Sequence, residues 1–207
     1  MLCGSGGAPQ AGIALGQGNK EKAEKIMGNC FALLMILAAA LTVVFFFLAP
    51  TLLDLFGGSE NTLPYATQYA RIYILGSVFV LIVMGMNVFI TAQGNAKIAM
   101  LTTVIGAAIN IVLDPIFIFL FNMGVAGAAL ATIISQAVSA LWILRFLMSE
   151  KSVIRLKKEN IRLEKPIILP CLALGISTFV MLSTESVLSI CFSSSLFKYG
   201  GDIAVGA

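Results

Sequence analysis

The chain contains no histidine, and only 11% of its 207 residues are charged. Without histidine, most zinc hydrolases, Ser/His/Asp hydrolases and histidine-based proton relays are excluded. A soluble domain carries roughly 25% charged residues, so the scarcity of charge excludes that class as well. The four cysteines (Cys3, Cys30, Cys171, Cys191) sit in or beside apolar segments without metal-ligand spacing and read as small buried hydrophobes. No basic region follows Met1, so no signal peptide is expected there. What is present is apolar: hydrophobic residues make up 59% of the chain and the mean hydropathy is +0.99. These values describe an all-α integral membrane protein.

A spanning helix needs about 20 mostly apolar residues. Residues 27–53 carry no charge; they follow Lys20-Glu21-Lys22-Ala23-Glu24-Lys25 and are expected to break at Pro50. Residues 72–96 are also uncharged, with Gln93-Gly94-Asn95 as a closing turn. Residues 98–144 would be about 70 Å long as a single helix, too long for one crossing. They must fold as a hairpin, and Asn122-Met123-Gly124 is the plausible turn. A last span covers about 166–193. Residues 1–16 are small, Gly-rich and apolar but too short to cross fully, as expected of the C-terminal part of a truncated span.

Basic residues orient the set. Lys20, Lys22 and Lys25, then Lys97, then Arg145, Lys151, Arg155, Lys157, Lys158, Arg162 and Lys165 fall in three alternate loops, against Arg71 and Lys198 elsewhere. The positive-inside rule makes loops 17–25, 93–97 and 149–165 cytoplasmic. Residues 54–69, the hairpin at Asn122 and the region of Tyr199-Gly200-Gly201-Asp202 are then external. The spacing of Val153, Ile154, Leu156, Ile161 and Leu163 permits an amphipathic helix on the cytoplasmic surface. The 149–165 segment reads as a linker whose basic residues meet membrane-lipid headgroups. A membrane-impermeant maleimide applied to intact cells should label Asn122→Cys but not Lys97→Cys in a background lacking the native cysteines. Equal labelling of both would refute this orientation.

One charge stands inside the longest apolar stretch. Asp114 has 46 uncharged companions between Lys97 and Arg145, with Asn110 one turn before it and Pro115 directly after. A carboxylate at the bilayer centre costs roughly 2.5–3.5 kcal/mol on insertion scales and marks a functional site by default. Counting from a turn at Met123, Asp114 and Thr132 are each nine residues away, so antiparallel helices place both about 13 Å below the turn. Asn110, at i−4, shares the face of Asp114. Oxygen ligands suit a hard cation such as Na⁺, and a carboxyl group in apolar surroundings favours its neutral form, which suits proton carriage. Pro115 removes a backbone donor and frees a carbonyl one turn back. The structural alternative is an Asp114 that only pins the hairpin to a neighbouring helix.

Three further features follow. Gly127, Ala131, Ser135 and Ser139 repeat every fourth residue, a small-residue stripe for close helix packing. Glu185, within Ser183-Thr184-Glu185-Ser186 and with Thr178 and Ser189 on its face, is a second acid in an apolar span, expected at a depth similar to Asp114. Asn87 is a weaker polar candidate in the span before Gln93.

The run Asn110-Ile-Val-Leu-Asp114-Pro115-Ile116-Phe117, with Met123-Gly124-Val125-Ala126-Gly127-Ala128-Ala129-Leu130-Ala131-Thr132, resembles the fifth-to-sixth helix region of the multidrug and toxic compound extrusion (MATE) family. Ile13-Ala14-Leu15-Gly16-Gln17-Gly18-Asn19 is similar to the end of that family's second helix, and Lys198-Tyr199-Gly200-Gly201-Asp202 to the stretch after its seventh. The Ser-Thr-Glu-Ser context of Glu185 resembles the MepA-like subgroup.

The resemblance implies a polytopic bundle forming part of a two-bundle (6+6), pseudo-symmetric transporter fold. Residues 1–148 would be an incomplete N-terminal bundle, 149–165 the basic cytoplasmic linker, and 166–207 the start of the C-terminal bundle. It also implies a cation or proton coupling site at Asp114, Asn110, Thr132 and Asn87, with Na⁺ at the first three, and a coupling role for Glu185 in the other bundle. Nothing corresponds to the family's first helix, which carries an Asp of that site, or to its eighth to twelfth helices. The expected protein is a partial chain of a Na⁺- or H⁺-coupled antiporter, exporting drug-like cations across a prokaryotic plasma membrane by alternating access. It would need no cofactor, bind no nucleic acid and have no enzymatic activity. The alternatives are a lipid-linked oligosaccharide flippase of the same superfamily, or a structural membrane subunit. A membrane enzyme is disfavoured by the lack of a nucleophile–base pair.

Overall fold

The computed structural model of the chain describes residues 2–55 and 63–206 and is helical, with no strand among the described residues. Six α-helices follow one another: α1 (Leu2–Gly16), α2 (Lys20–Leu55), α3 (Leu63–Ala92), α4 (Ala96–Pro115), α5 (Gly124–Met148) and α6 (Lys165–Gly206). Among the described residues, Lys20–Leu53, Leu63–Ala92, Ala96–Leu120, Gly124–Met148 and Lys165–Leu196 are long and apolar enough to cross a membrane. The protein is therefore a multi-pass membrane protein.

Local chemistry sets the helix ends. Asn19 caps α2, its Oδ1 accepting a hydrogen bond from the Lys22 amide at 3.0 Å. The charged residues from Lys20 therefore belong to the helix rather than preceding it. α2 also continues through Pro50 instead of breaking there, since a proline near the end of a membrane helix loses only one internal bond. The turn at Gln93-Gly94-Asn95 uses a positive φ at Gly94 (82°), and the hairpin at Asn122-Met123-Gly124 uses positive φ at Asn122 (56°) and Gly124 (55°).

Helices extend beyond the apolar segments that announce them. α3 begins at Leu63, nine residues before the uncharged run, and its Tyr69 and Tyr73 rings stack at 5.9 Å. Residues 56–62 of the expected external segment lie outside the described residues. α6 carries on to Gly206, so the backbone at Tyr199–Asp202 is helical rather than a loop after the span.

Pro115 has a local consequence. The chain leaves α4 through a π-helical turn, Ile116–Leu120, in which the Phe121 amide bonds the Ile116 carbonyl at 2.9 Å. Proline cannot donate, and the wider turn absorbs the break. Its backbone lies directly on α5: a Cβ added at Gly127 would sit 2.8 Å from the Phe117 carbonyl carbon and oxygen. Ala131, Ser135 and Ser139 continue this buried stripe along α5.

Among the described residues, α3 is central, packing on α1, α2, α4 and α5, whereas α4 touches only α3, α5 and the π-helical turn. Among the same described residues, α6 packs on α1 and α2 and not on α3, α4 or α5. The core gathers at one end, around Met27, Cys30, Met86, Phe89, Ile90, Ile143 and Leu147. Cys3, Cys30 and Cys171 are buried as expected, but Cys191 is exposed on α6.

The 149–164 segment is not an amphipathic helix. After a turn at 150–151 it is an irregular strap with one 3₁₀ turn, Lys158–Asn160. Ser152, Ile154 and Leu156 alternate inward and are buried, the period-2 pattern of an extended chain. Gln93 holds it from above: its Oε1 accepts from Ser152 Oγ at 2.8 Å and from the Ile154 amide at 3.1 Å.

Gly127→Leu should lower stability by about 1–3 kcal/mol, because an added side chain meets backbone and cannot be accommodated by a rotamer change. A thermal-unfolding midpoint equal to wild type would show that α5 and the π-helical turn are not in contact.

Candidate cation site

A cavity of about 460 Å³ opens between α3, α4 and α5. Asn87 enters it from α3, Thr102, Thr103 and Asn110 from α4, and Thr132, Ser135, Gln136 and Ser139 from α5. Asn87, Asn110 and Thr132, three residues separated in sequence, thus share one space. Asp114 does not line it. It is half-buried behind the wall and connects through Asn110, whose Nδ2 donates to Asp114 Oδ1 at 3.2 Å.

Hydrogen-bond direction gives the cavity its character. Thr132 Oγ1 donates to the Ala128 carbonyl (2.9 Å), Thr102 Oγ1 to Ile98 (3.1 Å), Ser135 Oγ to Thr132 (2.8 Å) and Ser139 Oγ to Thr102 (3.3 Å). Asn87 Nδ2 donates to the Ala99 carbonyl at 3.2 Å, while its Oδ1 is buried with no partner. Asn110 has used an amide hydrogen on Asp114, leaving its own oxygen free to accept. In an apolar bundle these hydrogens must find carbonyls inside the protein. The groups that have done so keep oxygen lone pairs available as acceptors, and one carboxylate is joined to the lining through Asn110.

Such a lining can offer oxygen ligands to a hard cation. It does not fit a transition metal: among the described residues no three His, Cys, Asp or Glu side chains gather.

Glu185 is elsewhere. It is exposed on α6, which has no contact with α4 or α5, so the structure does not bring it to Asn110 and Asp114. Its neighbours Thr184 and Ser186 donate to the Val180 and Leu182 carbonyls, each at 2.9 Å. Ser183 and Ser186 line a different, apolar cavity of about 500 Å³ with Cys3, Leu34, Leu81 and Phe179.

The family model of MatE matches residues 1–116, more than half of the chain. The chain belongs to the MatE family. Probable multidrug resistance protein YoeA of Bacillus subtilis is 26% identical over 96% of this MatE chain and 44% of its own length. Multidrug export protein MepA of Staphylococcus aureus (strain MRSA252) is 31% identical over 70% of the chain and 32% of its own length. The solved structure of the MATE multidrug transporter DinF-BH in complex with R6G superposes with a TM-score of 0.93 at 35% identity, over 99% of this chain and 46% of that one. The chain thus spans about half the length of the relatives it matches, and its fold is about half of theirs.

Sequence reasoning placed Asn87, Asn110 and Thr132 in one region and missed Thr102, Thr103 and Gln136, which line the same space. Thr102 was detectable: it precedes Asn110 by two turns, on the same face of α4. Ser135 and Ser139 appeared only as packing residues; they are buried against α4 and also wall the cavity.

An unpartnered buried oxygen costs the fold about 1–3 kcal/mol, so Asn87→Leu should leave the thermal midpoint unchanged or raise it. A clear drop would show that the hydrogen bond from Asn87 Nδ2 to the Ala99 carbonyl outweighs the cost of the unpartnered oxygen.

Proposed function

We propose that this chain supplies the cation-coupling half of a multidrug antiporter of a prokaryotic plasma membrane. Asn110, Thr132 and Asn87 offer oxygens to Na⁺, Asp114 supplies the negative charge, and protonation of Asp114 is the H⁺-coupled equivalent. The observation that carries this is the acceptor-facing cavity backed by the Asn110–Asp114 hydrogen bond at 3.2 Å. The names of the relatives, a multidrug resistance protein and a multidrug export protein, support drug-like compounds as substrates.

In this mechanism the cation and the drug alternate. Cation or proton entry offsets the charge of Asp114; a bound cation holds the oxygen lone pairs together, and its release leaves their mutual repulsion unopposed. The helices around the cavity then repack, and two units of the transporter rock about the substrate path. Asn110 positions the carboxylate and passes its charge toward the cavity. Thr132 and Asn87 set the size of the cavity and the number of ligands. Glu185, on α6 and apart from this site, is a second coupling carboxylate acting from the other unit. Loops 17–25, 93–97 and 149–165 face the cytoplasm.

The test is cation-driven efflux of a fluorescent organic cation by the transporter as the cell makes it. Asp114→Asn should reach the membrane at wild-type levels and lose at least about 90% of the cation-driven rate, on the scale of a lost charged ligand. Wild-type efflux by Asp114→Asn would overturn the assignment.

A further inference from the structure

The strap between α5 and α6 is held unevenly. Its first half is built into the bundle. Glu24 of α2 is 2% exposed, and its carboxylate grips the strap twice: Oε2 pairs with Lys157 Nζ at 2.6 Å and Oε1 accepts the Arg155 amide at 3.3 Å. Ile154 is 0% exposed, Ser152 and Ile154 are bound to Gln93, and the Leu156 amide bonds the Leu147 carbonyl at 2.9 Å.

The second half is different. Residues 158–164 are exposed apart from half-buried Asn160, which rests on Gly28. Besides that packing, one side-chain hydrogen bond joins them to α2, from the Glu164 amide to buried Asn29 Oδ1 at 2.6 Å. The α6 helix begins at the next residue.

We propose that Glu24 is a latch. It makes residues 152–157 a fixed part of the α1–α5 unit, and it leaves residues 158–164 as the tether on which α6 moves. A carboxylate taken out of water must stay paired, since an unpaired buried charge is strongly disfavoured. Opening the strap at Lys157 would expose that deficit at Glu24. Release at Asn29 breaks a neutral hydrogen bond to a buried side chain and lifts Asn160 off Gly28, and it leaves no buried charge unpaired. Movement therefore concentrates after Lys157, and Glu24 sets where the flexible connection starts. The proposal does not depend on which cation the transporter uses.

Trypsin reads the difference, because it needs several residues of mobile chain around the bond it cuts. The purified full-length protein in detergent is digested briefly and the fragments are weighed by mass spectrometry. In wild type, cleavage after Arg162 should exceed cleavage after Arg155 by at least about tenfold, since the open population governs the rate. Glu24→Gln should raise cleavage after Arg155 to near the Arg162 rate, with the rate at Arg162 unchanged.

Lys157→Met, which changes a half-exposed side chain and keeps the bundle intact, should do the same. The double variant should cut no faster than either single variant, as expected of one interaction. Glu21→Gln, which removes an exposed pair with Lys25, should change nothing. Equal wild-type cleavage at Arg155 and Arg162, or an unchanged pattern in Lys157→Met, would overturn the latch.

Discussion

Everything here depends on one constraint: inside an apolar helix bundle, a side-chain hydrogen has no water to bond and must find a carbonyl in the protein. Thr102, Thr132, Ser135 and Ser139 obey it by turning their hydroxyl hydrogens onto backbone carbonyls of α4 or α5. Asn87 obeys it through the Ala99 carbonyl, and Asn110 through Asp114. The same act that satisfies each donor leaves an oxygen lone pair over. Where α3, α4 and α5 converge, these residues line one cavity. In the proposed cation site the oxygen ligands are thus a by-product of satisfying donors, and Asp114 supplies the net charge that neutral oxygens lack.

The constraint also ranks the two acids. Asp114 is half-buried and joined by a hydrogen bond to a cavity-lining residue, whereas Glu185 lies exposed on a helix that does not touch α4 or α5. Both stand out in the sequence as isolated charges in apolar runs, because charge and hydropathy are local properties. Contact between α4 and α5 was also legible, since the turn at Asn122-Met123-Gly124 and equal helix rise place Thr132 level with Asp114. Which helix α6 packs on is a long-range matter, and residue spacing carries no trace of it.

Other elements were misleading for definable reasons. The strap's apolar residues, Val153, Ile154 and Leu156, suit a helical face when Ile161 and Leu163 are added. The same letters suit an extended chain when Ser152 is counted as the inward neighbour of Ile154. Ser152 is polar, and its hydroxyl lies within hydrogen-bond distance of two acceptors, the nearby Ile154 carbonyl and Gln93 Oε1, 59 positions away. Gln93 itself signalled only a turn, and Glu24 only one charge in a mixed cluster, though it is 2% exposed beneath the strap. The boundaries of α2, α3 and α6 overran the apolar runs because polar turns at a membrane helix end are solvated and need no apolar face.

Whether the cavity holds a cation decides the account most directly. Equilibrium binding of radiolabelled ²²Na⁺ to the purified protein, with unlabelled Na⁺ as competitor, measures this without reference to transport. Saturable binding is expected in wild type, weakened at least about tenfold in Thr132→Val, whose change removes one oxygen ligand and keeps the shape. Saturable binding of the same affinity in Thr132→Val would contradict the placement of the cation among these oxygens.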